Sequence, residues 1–91
     1  MLTNKIIHPE LKKILFKIYD ERFIGGKHLP ERVIKKKFGN LSKHDRKECL
    51  RQWNELIQKE IILIHNKRTG RSNEPHFCIN PKKLEELSLL I

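Results

Sequence analysis

Apolar residues recur at helical spacing in three separate stretches of the chain. Leu11, Ile14, Leu15, Ile18 and Tyr19 follow i, i+3, i+4, i+7, i+8, which predicts an amphipathic helix over Pro9 to Arg22, with Phe23 near its end. Pro9 suits a first helical position, and Phe16 falls off the stripe. Gly25-Gly26 breaks the pattern, and Lys27-His28-Leu29 reads as a brief strand. Pro30 opens a short second helix, Glu31 to Phe38, with Val33, Ile34 and Phe38 inward and Gly39 as a left-handed C-cap. The longest stretch is Ser42 to Glu60. There Cys49, Leu50, Trp53, Leu56 and Ile57 share one face, while His44, Lys47, Glu48, Arg51, Glu55 and Gln58 share the other. Ser42 is a credible N-cap, with Asp45 three residues on as a shortened capping box at the positive end of the helix dipole.

After Glu60 the pattern changes. Ile61-Ile62-Leu63-Ile64 is a β-branched run that predicts a strand to about Asn66. A polar loop, Lys67 to Pro75, separates it from a second strand, His76 to Asn80, so the pair reads as a long-looped hairpin. Pro81 starts a last helix, Lys82 to Leu90, with Leu84 and Leu87 at helical spacing. The lead at residues 1–8, with Leu2, Ile6 and Ile7, either packs as an extended arm or frays. The expectation is a single α+β, mostly α, domain over residues 1–91.

Length changes the picture by exclusion. A chain of 91 residues has a thin core and little room for an enclosed active site. No apolar run approaches the roughly 20 residues of a membrane span. The opening MLTNKII is not built like a secretory signal, so a cytoplasmic location is expected, at the nucleoid if the source is prokaryotic.

Charge adds a partner class. The net charge is +9; residues 27–51 contribute +6 and residues 67–71 contribute +3, so the rest of the chain balances to zero. Such a balance favours polyanions.

Candidate chemistry narrows further. Cys49 and Cys78 read as buried, reduced thiols. Five histidines raise the question of a metal: His76 and Cys78 share one strand face, and His65 can lie across the hairpin. No CxxC or HxxxH pair supports a zinc site, so no metal and no cofactor are expected. Gly25-Gly26 is not followed by the GK[ST] of a phosphate loop, Thr69-Gly70-Arg71-Ser72 has no paired base, and the carboxylates of Glu31, Asp45 and Glu48 sit among cations. An enzyme and a small-molecule substrate are therefore not expected.

The order helix, short strand, helix, turn, helix, strand, basic loop, strand resembles the winged helix-turn-helix superfamily. Leu29-Pro30 before the second helix, Gly39-Asn40-Leu41-Ser42 at the turn, and Leu50, Trp53, Leu56 and Ile57 leading into Ile61-Ile62 carry the likeness over about residues 9–80. One departure is Lys59-Glu60, where the family often has Gly before its first wing strand. The resemblance implies a three-helix core, a β-hairpin wing and a short C-terminal helix. It also implies a double-stranded DNA-binding protein of transcription-regulator type, with helix 42–60 in the major groove. Ser42, Lys43, His44, Lys47 and Arg51 then approach bases or phosphates, Arg51 being the best guanine reader, while Lys35 and Lys36 lie along the backbone. Lys67, Arg68 and Arg71 of the wing, 67–75, reach phosphates or an adjacent minor groove. The alternatives are a protein–protein or homodimerisation module using Leu87, Leu89, Leu90 and Ile91, and an RNA or single-strand binder, for which exposed aromatics are scarce.

Overall fold

In the computed structural model, which describes residues 7–69 and 72–91 (66–69 and 72–73 by backbone alone), two helices close with the same device. Helix α1, Pro9–Asp20, ends where Arg22 turns to φ 64°; its N–H donates to the Tyr19 carbonyl, and the Phe23 N–H donates to that of Ile18. The long helix α3, Lys43–Gln58, ends where Glu60 turns to φ 61°; its N–H donates to Ile57, and the Ile61 N–H donates to Leu56. Each is a Schellman closure with a non-glycine in the left-handed position. In both, the residue after the turn is apolar and packs back on the core: Phe23 partly, Ile61 fully. Thus α1 stops ahead of Gly25-Gly26, two residues short of the Arg22 predicted from periodicity. Between α1 and α3 lie the two-residue strand β1, Leu29–Pro30, and helix α2, Glu31–Gly39.

Gly25 is left-handed, at φ 65°, but Gly39 is not, so the C-cap expected there is corrected. Helix α2 simply runs through Gly39 to an Asn40 cap in the right-handed region.

Strands β2, Ile62–Thr69, and β3, Ser72–Ile79, pair antiparallel, and β1 joins the other edge of β3 to give the order β1-β3-β2. The ladder runs from Ile62↔Ile79 to Thr69↔Ser72. The long polar loop predicted over Lys67 to Pro75 is therefore mostly strand. Lys67 and Arg68 sit in β2, opposite Glu74 and Asn73. At the base, the hairpin is tied to the end of α3: the Asn80 side-chain amide donates to the Glu60 carbonyl at 2.9 Å and the Asn80 N–H to that of Ile61 at 3.0 Å. The chain finishes in a 3-10 turn, Pro81–Lys83, and helix α4, Leu84–Leu90.

The core draws Leu11, Leu15 and Ile18 from α1, Ile34 and Phe38 from α2, Cys49, Trp53 and Leu56 from α3, Ile62, Phe77 and Ile79 from the hairpin, and Leu87 and Leu90 from α4. Trp53 is its hub. Phe38 and Phe77 meet its indole edge-to-face, at centroid distances of 6.0 and 5.4 Å, which joins α2, α3 and β3. The result is a three-helix core with a hairpin wing and a short C-terminal helix. Tyr19, expected inside, is exposed, as is Phe16. Leu50 is also displaced from the predicted inward face, being 40% exposed, and Gln52 takes a buried place instead. Leu2 and Ile6 lie outside the described residues.

The two cap geometries predict opposite substitutions. Glu60→Gly removes the left-handed penalty of an L-residue and is expected to stabilise by about 0.5–1 kcal/mol after the glycine entropy cost. Gly39→Ala is expected to stabilise by up to about 1 kcal/mol, because the added methyl meets nothing within 4 Å and the backbone is right-handed. Urea denaturation checks both; a destabilised Gly39→Ala protein would restore the left-handed cap.

Candidate nucleic-acid interface

The exposed start of α3 is set by its cap. The Ser42 hydroxyl accepts from the Asp45 N–H at 3.2 Å, satisfying one of the free amides of the first turn. Asp45 does not close a capping box. Its carboxylate instead accepts from His8 Nε2 at 3.1 Å, while His8 Nδ1 accepts from the Glu10 N–H and the His8 N–H donates to Gln52 Oε1 at 2.8 Å. His8 thus caps α1 and latches it to α3, and Gln52 is buried because it serves that latch. Hydrogen bonds from His8 and then Ser42 hold the Asp45 carboxyl below the usual aspartate range.

With α1 latched on one side and Trp53 buried below, the opposite side of α3 faces outward. Helical spacing puts Lys43, Lys47, Asn54 and Gln58 on that outward stripe, with His44 and Arg51 beside it. Ser42, Lys43, His44 and Lys47 are all exposed within the first two turns, and among the described residues Lys43 and Lys47 have no ion-pair partner. Arg51, the residue favoured as guanine reader, is differently placed. Its guanidinium lies between Glu48, at i−3, and Glu55, at i+4, and donates to both. The bond from Arg51 depresses the Glu48 pKa, and the Glu48 carboxylate in turn raises that of Arg51. That triad carries a net negative charge, against the net positive charge of Lys43 and Lys47.

The α2 cations divide in the same way. Lys35 pairs with Glu31 at 3.3 Å, whereas Lys36 is exposed with no ion pair among the described residues. Arg32 reaches across to Glu74 of β3, donating to that carboxylate from both its backbone N–H, at 3.3 Å, and its guanidinium, at 2.5 Å. This bond tethers the start of α2 to the wing. Where α2, α3 and the hairpin meet, Ile34, Phe38, Leu50, Ile57, Ile64, Pro75 and Phe77 line an open apolar depression, with Leu50 and Ile64 exposed at its rim. That surface escapes a reading that counts Leu50 as core. The side chains of Lys67 and Arg68, and all of Arg71, lie outside the described residues.

Among the described residues, one group of three has metal-ligating chemistry: His28, His65 and Cys78, on the side of the hairpin away from the helical core. Burial pushes the Cys78 thiol pKa up, and Cys49, within the core, is pushed up for the same reason. No helix among the described residues is long and apolar enough to cross a membrane.

The depressed Asp45 pKa gives a signed pH dependence. Ionised Asp45 stabilises the fold above the carboxyl's unfolded pKa, and that contribution disappears as pH falls through the lower, folded value. Wild type is expected to exceed Asp45→Asn in stability at neutral pH, with the gap closing in acid. Urea midpoints measured across the acid range check this, and a gap independent of pH contradicts it. Comparison with known proteins adds no relative from which a role can be transferred: no family model, no curated protein and no solved structure matches the chain.

Proposed function

We propose that the chain is a double-stranded DNA-binding protein with a winged-helix architecture, of transcription-regulator type, that lays α3 in the major groove. The reading rests on one observation: Lys43 and Lys47 stand exposed and unpaired, among the described residues, on the outward stripe of a helix whose first turn is capped by Ser42. In a chain of net charge +9, exposed cations and helix-start amides on one element support that reading. Lys36 supports the same backbone contact from α2; Lys67, Arg68 and Arg71, whose side chains lie outside the described residues, are proposed from the sequence as further phosphate contacts. Arg51 reads guanine only by exchanging its carboxylate partners, a trade open to exposed pairs because they are weak. Asn54, also on the outward stripe, has the amide that suits adenine.

The expected behaviour is duplex binding that weakens with salt, log K falling by roughly 0.9 per log unit for each phosphate neutralised. The double variant Lys43→Ala/Lys47→Ala is expected to lower that slope by about 1.8 and to weaken all sequences alike. Arg51→Ala is expected to reduce discrimination between sequences. Fluorescence anisotropy with labelled duplexes at several salt concentrations checks both. Wild-type binding by all of these variants would refute the surface.

A second reading, a homodimer or protein-interaction module, has narrower support than the C-terminal sequence implies. Leu87 and Leu90 turn into the core and Ile91 is partly buried, leaving Leu89 exposed on α4 and Phe16 on α1. Phe16 and Ile91 share one shallow depression with Pro9, Lys12 and Lys13. Phe16→Asp combined with Leu89→Asp is expected to lower the sedimenting mass if copies associate there. Shortening the chain at Glu85 is the poorer test, because it strips two core leucines. Single-strand or RNA binding is the weakest reading, since Phe38, Trp53 and Phe77 are committed to the core.

A further inference from the structure

We infer that His28, His65 and Cys78 form a binding site for one zinc(II) ion. The three come from separate parts of the chain: His28 just before β1, His65 in β2 and Cys78 in β3. One ligand atom from each lies within 4.8 Å of the other two. The Cys78 sulfur and His65 Nε2 are 3.4 Å apart. Zinc bond lengths to sulfur and nitrogen set the corresponding edge of a tetrahedron at about 3.6 Å, so this pair already has coordination spacing. The His28 ring is stacked on His65 at 4.2 Å and 7°. Parallel rings cannot aim their in-plane lone pairs at one ion, so the His28 ring must swing out of the stack, and it stands on the short lead into β1 rather than within the ladder.

Ligand chemistry selects the ion. One thiol and two imidazoles suit borderline-soft, tetrahedral zinc and do not suit the oxygen-seeking calcium or magnesium. Cys78 is 1% exposed whereas both histidines are partly accessible, so the sulfur forms the floor and an ion enters from the imidazole side. Three protein ligands leave the fourth position to water. His76 borders the group, paired with His65 across the ladder, and its Nδ1 is buried with no hydrogen-bond partner among the described residues. The face therefore holds a further polar atom that the described residues do not satisfy. Binding displaces the thiol proton to solvent and leaves a thiolate on the metal, with no change of oxidation state. The bound ion joins the lead into β1 to both hairpin strands, bracing the wing from behind. The site stands whether or not the chain binds DNA.

Cobalt(II) reports thiolate ligation directly. Untagged full-length protein, reduced and stripped with a chelator, is titrated with cobalt(II) and then zinc(II). One equivalent of cobalt is expected to produce a sulfur-to-metal charge-transfer band with tetrahedral visible bands, and zinc is expected to remove both. Zinc is expected to raise Tm, and magnesium to leave it unchanged. Cys78→Ser abolishes the charge-transfer band and Cys49→Ser keeps it. His28→Ala and His65→Ala weaken cobalt binding by more than the roughly 10–100-fold that loss of an outer-shell partner costs, while circular dichroism shows His28→Ala still folded. Wild-type protein without the charge-transfer band overturns the site, as does a band that survives Cys78→Ser or binding undiminished in His28→Ala.

Discussion

The arrangement depends on the indole of Trp53. Three elements far apart in sequence reach it: α2 through Phe38, β3 through Phe77, and α3, which carries it. Edge-to-face contacts are directional, so this cluster fixes orientation as well as burying area. It sets the angle between α2 and α3 and the seat of the hairpin against both. The outward stripe of α3 follows from it. With Cys49, Gln52, Trp53 and Leu56 turned inward, Lys43, Lys47 and Asn54 are left exposed.

Around that hub, polar bonds trim what packing leaves loose. His8 holds the start of α1 to the start of α3 through Asp45 and Gln52. Arg32 and Glu74 hold α2 to the wing. Ion pairs also sort the cations on the front of the molecule. Arg32, Lys35 and Arg51 are engaged by carboxylates, while Lys36, Lys43 and Lys47 are not, among the described residues. A count of positive residues therefore overstates the charge available to a partner and misplaces its centre, which lies nearer the start of α3 than Arg51.

Much of the fold was legible because it is written in local pattern. The stripes of α1, α2 and α3 and the Ser42 cap each lie within one element, where spacing translates directly into a face. What escaped depends on distance. Gln52 belongs to neither face read from the spacing, because what buries it is a partner, His8, 44 residues away. Within the loop expected over Lys67 to Pro75, Lys67 to Thr69 and Ser72 to Pro75 are strand because they are held by backbone pairing, which carries no apolar alternation to announce it. His65 and Cys78 were recognisable as neighbours from their strands, but His28 joins them only through the fold. At the candidate interface, the flanking Glu48 and Glu55 were visible at helical spacing, yet sequence alone does not reveal that both close on Arg51.

The junction between α3 and β2 has a consequence for how such a chain can vary in length. Only Lys59, Glu60 and Ile61 separate them, and Asn80 grips two of those carbonyls from the far strand. Because side chains alternate along a strand, one inserted residue here would invert β2, sending His65 toward the helices and Ile62 to the outside. Two inserted residues would keep the alternation but break the grip of Asn80. In lineages descended from this chain the neck beneath the wing is thus held to its present size.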